Sequence, residues 1–275
     1  MRIGLVIVGD EILSGKRQDK HLPKVIELVT ARGLALAWAR YVGDDRPLIT
    51  EALRHAFASG DLVFSCGGIG ATPDDHTRQC AAAALGAELV LHPEARALIL
   101  ERMQDVAREQ GQPYEPERPD NLHRLHMGVF PAGARIIPNP YNKIPGFSCG
   151  HVHFVPGFPV MAHPMIEWLL DHRYADLHGG GAQDERSVIV YGSMEASLTP
   201  LMIDIEARFP GVKVFSLPSV DHPQHGRHIE LGVKGSGPAV QSAYAELFRG
   251  LSHRGVRLGA EMVQKGPASW RQNGA

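Results

Sequence analysis

A chain of 275 residues is long enough for one large domain beside a small one, and 28 Lys+Arg against 30 Asp+Glu, a net charge of −2, gives no electrostatic case for nucleic acid or an anionic membrane as partner. Cys66, Cys80 and Cys149 are widely spaced and form no CxxC pair, so neither structural zinc nor a dithiol centre is indicated and the thiols read as reduced. The apolar start is broken by Asp10 and Glu11, too early for a signal peptide, and no run reaches the roughly 18 apolar residues of a membrane helix, so a soluble cytoplasmic protein is expected.

Residues 2–8 form a β-branched run closed by Gly9, the pattern of a strand buried on both faces. Leu22, Val25, Ile26 and Val29 recur at helical spacing until Gly33, and LALAWARYV follows as an extended segment. Arg46-Pro47 opens a second helix that stops near Gly60, and DLVFSC gives the next strand. A third helix over about 74–85, a strand at ELVLH and a helix over 93–110 continue the alternation, which predicts a mostly parallel sheet with helices on both faces. Residues 111–150 are too rich in Pro and Gly for regular elements, apart from a short strand near Arg135–Ile137. HVHFVPG is a further strand, and the helix FPVMAHPMIEWLLDHR after it carries a candidate break at Pro164. The triple glycine at 179–181 marks 176–186 as a linker. Beyond it, residues 187–258 read as a small β-α-β-β-α module, an α+β accessory unit, and 259–275 as a flexible tail.

The chemistry concentrates in CGGIGATPDDHT, residues 66–77. GDEILSGKR is not a P-loop: Gly9 and Gly15 bracket one residue too many, and Arg17 stands where Ser or Thr would hold magnesium. No GxGxxG follows the first strand, so a dinucleotide site is not supported. Gly67, Gly68 and Gly70 let backbone amides approach an anion, while Thr72, Pro73, Asp74 and Asp75 read as the N-cap and first turn of the next helix. A glycine loop that invites negative charge beside two aspartates has two resolutions. A divalent cation bridges Asp74 or Asp75 to a phosphorylated ligand, or an aspartate accepts hydrogen bonds from an amino-substituted ring while the amides hold its phosphate. Either way the expected partner is a phosphorylated heterocyclic small molecule.

These residues carry a resemblance. GGIGATPDDHT resembles the GGxGxTxDD signature of the MoaB/Mog molybdopterin-binding domain superfamily, in the version found in CinA (competence/damage-inducible) proteins. GDEILSG resembles its GxELLxG opening, IPNPYNKIPGF its NxxGTAPGF loop, VPGFPVMAHPM its LPGxPxEMxxM segment, and GSMEASL the GxxES start of the CinA accessory module. The resemblance implies a three-layer αβα domain over residues 1–175, with its pocket at the carboxyl ends of the strands. The ligand-binding residues it implies are Gly67, Gly68, Gly70, Thr72, Ser14, Lys20, Asn139, Lys143, Pro156 and Gly157. Glu11, Asp74 and Asp75 are the implied catalytic acids, the two aspartates the implied metal ligands. The departures are Asp19-Lys20-His21 in place of a DTN-like step, Asn142 and Lys143 in place of Gly and Thr, and Met161 in place of Glu. An acid is gone, while Lys20 and Lys143 would favour phosphate.

Relatives of this kind bind or adenylylate molybdopterin, or cleave nucleotide pyrophosphates such as ADP-ribose with a metal, and commonly form homo-oligomers. Three functions are therefore expected as alternatives. In the first, Mg, Mn or Co bound by Asp74 and Asp75, with Glu11, activates water against a pyrophosphate held by the glycine amides. The second is molybdopterin adenylyl transfer, and the third a pterin- or nucleotide-binding protein without chemistry. His151 and His153, with His123 or His126, and the pair His222 and His225 are weaker candidates for a metal, lacking a third ligand at fixed spacing. His76 is a candidate titrating group beside the aspartates, and Cys66 has no base beside it in sequence.

Overall fold

The computed structural model describes residues 1–179, 184–222 and 226–264. Two compact units emerge, Met1–Val29 with Ala35–Asp176, and Thr30–Leu34 with the chain from Leu177.

The first unit alternates as the periodicities predict: β1 (Ile3–Val8), α1 (Asp10–Leu13), α2 (His21–Thr30), β2 (Leu36–Val42), α3 (Arg46–Ser59), β3 (Leu62–Cys66), α4 (Thr77–Leu85), β4 (Leu89–Leu91) and α5 (Pro93–Glu109). Then come α6 (Pro119–Arg124), a 3-10 turn (Leu125–Gly128), β5 (Val129–Pro131), β6 (Arg135–Ile137), β7 (Gly146–Cys149), β8 (Val152–Val155) and α7 (Pro159–His172). Six strands form one sheet in the order β2-β1-β3-β8-β7-β6. The first four run parallel, and β7 and β6 add antiparallel. Helices complete a three-layer αβα arrangement. β1, β3 and β8 are buried at every position, as strands covered on both faces must be. Because β1 pairs with β2 on one side and β3 on the other, the chain reverses direction of progress beside the carboxyl end of β1, where open parallel sheets leave a crevice.

Local chemistry fixes the boundaries. Asp45 caps α3 by accepting from the Leu48 amide at 2.9 Å, with Pro47 in the first turn, and Gly60 ends the helix at φ 67°. Such a cap contributes about 1 kcal/mol. Phe130, Phe147 and Phe154 stack with centroids 4.6 and 4.4 Å apart, which pins β5 against β7 and β8.

The structure corrects several sequence expectations. α4 begins at Thr77, not 74. Thr72–Asp75 is instead a β-turn with Pro73 in its second position, closed by the Asp75 amide on the Thr72 carbonyl at 3.0 Å. β4 leaves the main sheet and pairs only with β5. Residues 111–150 hold more order than their composition implies, including α6 and β7. α7 runs through Pro164 without ending.

The second unit contains β9 (Asp184–Tyr191), α8 (Glu195–Arg208), β10 (Lys213–His222), β11 (Gly226–Gly235), α9 (Ala239–His253) and β12 (Arg257–Gln264). Its sheet is antiparallel, ordered β10-β11-β9-β12, and buries Val188, Val190, Leu231 and Val233 against Leu198, Ile205, Tyr244 and Leu247. Part of the expected linker, Asp184–Arg186, is therefore strand, and residues 259–264 of the expected tail are strand as well. The rest of that tail, 265–275, lies outside the described residues, as do residues 180–183 of the linker and His225.

Candidate functional site

Three chain segments meet at the carboxyl ends of the parallel strands: Gly9–Glu11 after β1, the glycine loop after β3, and Pro156–Phe158 after β8. With the 139–145 loop they enclose a cleft of about 400 Å³, within the range of small-molecule sites. Of the residues expected at the site, Glu11, Gly68, Gly70, Thr72, Asp74, Asp75, Asn139, Pro156 and Gly157 line it. Sequence reasoning did not single out the apolar wall formed by Ile69, Met127, Ile144, Pro145, Phe158 and Met161. Phe158 is 56% exposed despite its size, and that mismatch has no signature in a sequence read for periodicity.

The glycine loop divides in two. Gly67 belongs to the scaffold: its amide donates to the Val155 carbonyl at 3.0 Å, so it is not free for a ligand. Its φ of 104° and the Val8 carbonyl 2.2 Å from where a Cβ would sit explain why only glycine fits. Thr77 ties the loop to α4, its amide donating to the Gly68 carbonyl at 2.9 Å and its hydroxyl to the Gly67 carbonyl at 3.0 Å. By contrast, among the described residues no protein acceptor takes the amides of Gly68, Ile69, Gly70 or Ala71. Successive unpaired amides in a turn make an anion-binding concavity.

The aspartates serve the turn. The Asp75 carboxylate accepts from the Thr72 amide at 2.9 Å and from the Thr72 hydroxyl. A hydrogen bond from Thr72 also holds the exposed Asp74 carboxyl below the usual carboxylate range. Asp44 shifts the other way, raised by burial and by the nearby charges of Asp10, Glu11 and Asp74, so one flank of the cleft is acidic. Asp10 and Asp44 brace that flank by exchanging amide-to-carboxylate bonds of 2.9 and 3.2 Å.

Asp74 and Asp75 do not fit a resident metal. Asp75 is committed to Thr72, and among the described residues no group of three or more His, Cys, Asp or Glu is placed to hold an ion.

Four other residues expected at the site take other places or roles. Lys143 turns away from the cleft to Glu101 and Asp105, 2.6 Å from each, and those carboxylates hold its ammonium above the usual range. Lys20 and Ser14 are exposed and do not line the cleft; Ser14 is the C-cap of α1. Asn139 lines the cleft as a loop organiser: its amide donates to Asn142 Oδ1 at 2.8 Å and the Ile144 carbonyl at 2.9 Å, and its carbonyl accepts from the Tyr141 amide at 3.1 Å. Asn142 in turn donates to the Met161 sulfur at 3.3 Å, so the position of the missing acid now anchors the same loop.

His21, in the departed DTN-like step, is buried and its Nε2 lies 3.0 Å from the Gly157 carbonyl, holding the β8–α7 turn in place. His151 and His153 do share a face, but both meet the Tyr174 hydroxyl, at 3.2 and 2.7 Å, and His153 also meets Ser148 Oγ at 2.8 Å. Burial lowers the His153 pKa to about 3, so it is a neutral core histidine. Burial pushes the Cys66 thiol up, consistent with an inert side chain.

The family described as "Probable molybdopterin binding domain" matches residues 4–175. A CinA-like protein of Anaeromyxobacter dehalogenans (strain 2CP-1 / ATCC BAA-258) is 33% identical over 177 residues, covering 62% of this chain and 41% of that protein. A protein of Pyrobaculum calidifontis is 31% identical over 250 residues, covering 87% of this chain and 88% of that protein. The crystal structure of "the protein CinA with unknown function" from Thermoplasma acidophilum superposes with a TM-score of 0.53 at 28% identity, covering 62% of this chain and 98% of that one. The chain spans 41 to 50% of the length of the first three CinA-like relatives. Among the described residues no helix is long and apolar enough to cross a membrane. With the family matched over 4–175, the unpaired glycine-loop amides at the sheet's carboxyl edge and a CinA structure superposing on the chain, the protein belongs to the molybdopterin-binding-domain family and is similar to its CinA-like members.

Proposed function

We propose that the protein binds a phosphorylated, amino-substituted heterocycle of the molybdopterin class in the cleft at the carboxyl edge of the parallel sheet. The observation that carries this reading is the run of unpaired amides at Gly68–Ala71, which supplies donors for a phosphate without any lysine. The N-terminus of α7 lies on the same cleft through Pro156–Phe158 and adds its positive end. Phe158, Met161, Ile144 and Pro145 offer an apolar wall for a flat ring. Glu11 and Asp74, on the acidic flank, are acceptors for ring amino and N–H donors, which a pterin presents along one edge.

Hydrolysis of a nucleotide pyrophosphate and adenylyl transfer stay narrower than this reading. Neither is routed through Asp74 and Asp75 as metal ligands, since their donor set does not fit one. The deciding experiment is a fluorescence titration with a phosphorylated pterin and with the same pterin lacking its phosphate. The expected result is at least tenfold tighter binding of the phosphorylated form, lost in part in Phe158→Ala. Equal affinity for the two forms would overturn the reading. Incubation with ADP-ribose and Mg²⁺, Mn²⁺ or Co²⁺, scored for AMP, reads the hydrolytic alternative directly.

A further inference from the structure

Behind the Ala71–Asp75 wall lies a second cleft of about 290 Å³, walled also by α4, the start of α3, β4 and the 3-10 turn. Two arginines line it, Arg46 and Arg78, and among the described residues neither forms an ion pair with a carboxylate. Arg78 is only 4% exposed. Its terminal nitrogens donate to the Gly70 carbonyl at 2.5 Å and to the His126 carbonyl, and its Nε finds no acceptor. A buried guanidinium that hydrogen-bonds only to neutral carbonyls, with the Asp75 charge nearby but not paired to it, is costly unless an anion completes its shell. Three histidines surround it. Arg46 Nε donates to His76 Nδ1 at 3.1 Å, which leaves the His76 proton on Nε2, a donor. His123 Nε2 donates to the Ala71 carbonyl at 2.7 Å, and His126 packs edge-on against His123 with centroids 4.9 Å apart. The one carboxylate on this cleft, Asp75, is occupied by Thr72. The three histidines are not grouped as metal ligands, so the cleft reads as a cationic box rather than a metal centre.

We infer that this second cleft is an oxyanion site, taking phosphate or the phosphoryl group of a phosphate ester on Arg46, Arg78 and His76. Guanidinium groups bind phosphate through paired charge-assisted hydrogen bonds, and this chemistry needs no metal. The site does not rest on the reading of the main cleft. The two share only the Ala71–Asp75 wall, so an anion here braces the turn that carries the unpaired amides.

The test is imidazole NMR of the full chain at constant pH while inorganic phosphate is added. Saturable shifts of the His76, His123 and His126 signals, with His153 unmoved, are expected. Arg46→Gln, an exposed change, is expected to weaken phosphate at least tenfold, and Arg78→Gln to abolish binding if it folds. Phe158→Ala, across the wall, is expected to leave the phosphate titration unchanged. Adding a nucleoside monophosphate to the phosphate-saturated protein separates the sources. Movement of the shifts to a new saturable position assigns the site to an ester, and their persistence unchanged assigns it to free phosphate. No saturable shift in the wild-type chain, or equal phosphate affinity in Arg46→Gln, overturns the inference.

Discussion

Gly68 is where the scaffold hands over to the site, and its replacement by alanine tests the architecture quantitatively. Two separate penalties apply. At φ 68° a Cβ meets the intrinsic left-handed cost, about 1–2 kcal/mol. The new Cβ would also sit 2.3 Å from Thr77 Oγ1, forcing that buried side chain off its bond to the Gly67 carbonyl. Losing that bond in a buried setting costs about a further 1–3 kcal/mol, so about 2–5 kcal/mol in all. Gly60 is the control, because it has nearly the same φ, 67°, with nothing within 4 Å of its Cβ position. Gly60→Ala is therefore expected to cost only the first penalty, about 1–2 kcal/mol. Urea unfolding followed by tryptophan fluorescence measures both, Trp38 and Trp168 lying in the first unit. Thr77→Ala sharpens the comparison. Alone it removes one bond, but in the Gly68→Ala background it relieves the clash, so the pair is expected to couple favourably by about 1 kcal/mol or more. Equal destabilisation by Gly68→Ala and Gly60→Ala, with no coupling to Thr77, would refute the claim that the loop is clamped on α4.

Further outcomes are expected. Lys143→Gly removes a non-glycine residue at φ 65° and two ion pairs outside the cleft, so pterin-phosphate affinity should not change; a tenfold loss would return Lys143 to the site. Asn139→Ala breaks three hydrogen bonds of a buried side chain and is expected to cost about 3 kcal/mol, read as a lowered urea midpoint together with weaker ligand binding. His153, lowered to about 3 by burial, takes its proton only in the unfolded chain between pH 6.5 and 3. Stability should therefore fall as pH drops through that window, by up to about 1.4 kcal/mol per unit, with His21 and His163 acting in the same direction. His153→Gln should flatten that slope, and an unchanged slope would show that the proton goes elsewhere.

The fold was legible where one physical rule acts alone. β1 and β3 are buried on both faces, and an uninterrupted apolar run announces that directly. Asp45, Pro47 and Gly60 mark both ends of α3 with residues that have few other uses there. Legibility failed where one pattern serves two structures. Thr72-Pro73-Asp74-Asp75 satisfies both a capping box and a β-turn, because a small polar residue followed by proline suits an N-cap with N1 and the first two positions of a turn alike. Contact with the Gly67 and Gly68 carbonyls, which no local pattern encodes, decides for the turn by starting the helix at Thr77. β7 was hidden because GFSC is too short to alternate; its identity comes from pairing with β6 and β8. Lys143 misled for a related reason. Charge near a phosphate motif is only a candidate until its competitors are known, and Glu101 and Asp105 lie some 40 residues earlier in the chain.

Asp75 separates a metal ligand from the clasp of a turn. As a metal ligand it would lose its function on conversion to asparagine. As the clasp of the turn it would keep most of it, since the Thr72 amide and hydroxyl meet the same Asp75 oxygen, which the asparagine side chain retains as an acceptor while giving up the charge. The expected cost of Asp75→Asn is about 1 kcal/mol or less. The functional effect should have the opposite sign to a lost metal ligand. Asp75 lines both clefts, so its negative charge opposes an anion in either one, and removing it should leave pterin-phosphate and inorganic phosphate binding level or tighter. Titration with Mg²⁺ and with chelator should give the same answer. A tenfold loss seen only with the metal present would restore Asp75 as a ligand and overturn its assignment as the clasp. A tenfold loss under both conditions would instead mean that the turn itself had opened, taking the Gly68–Ala71 amides with it.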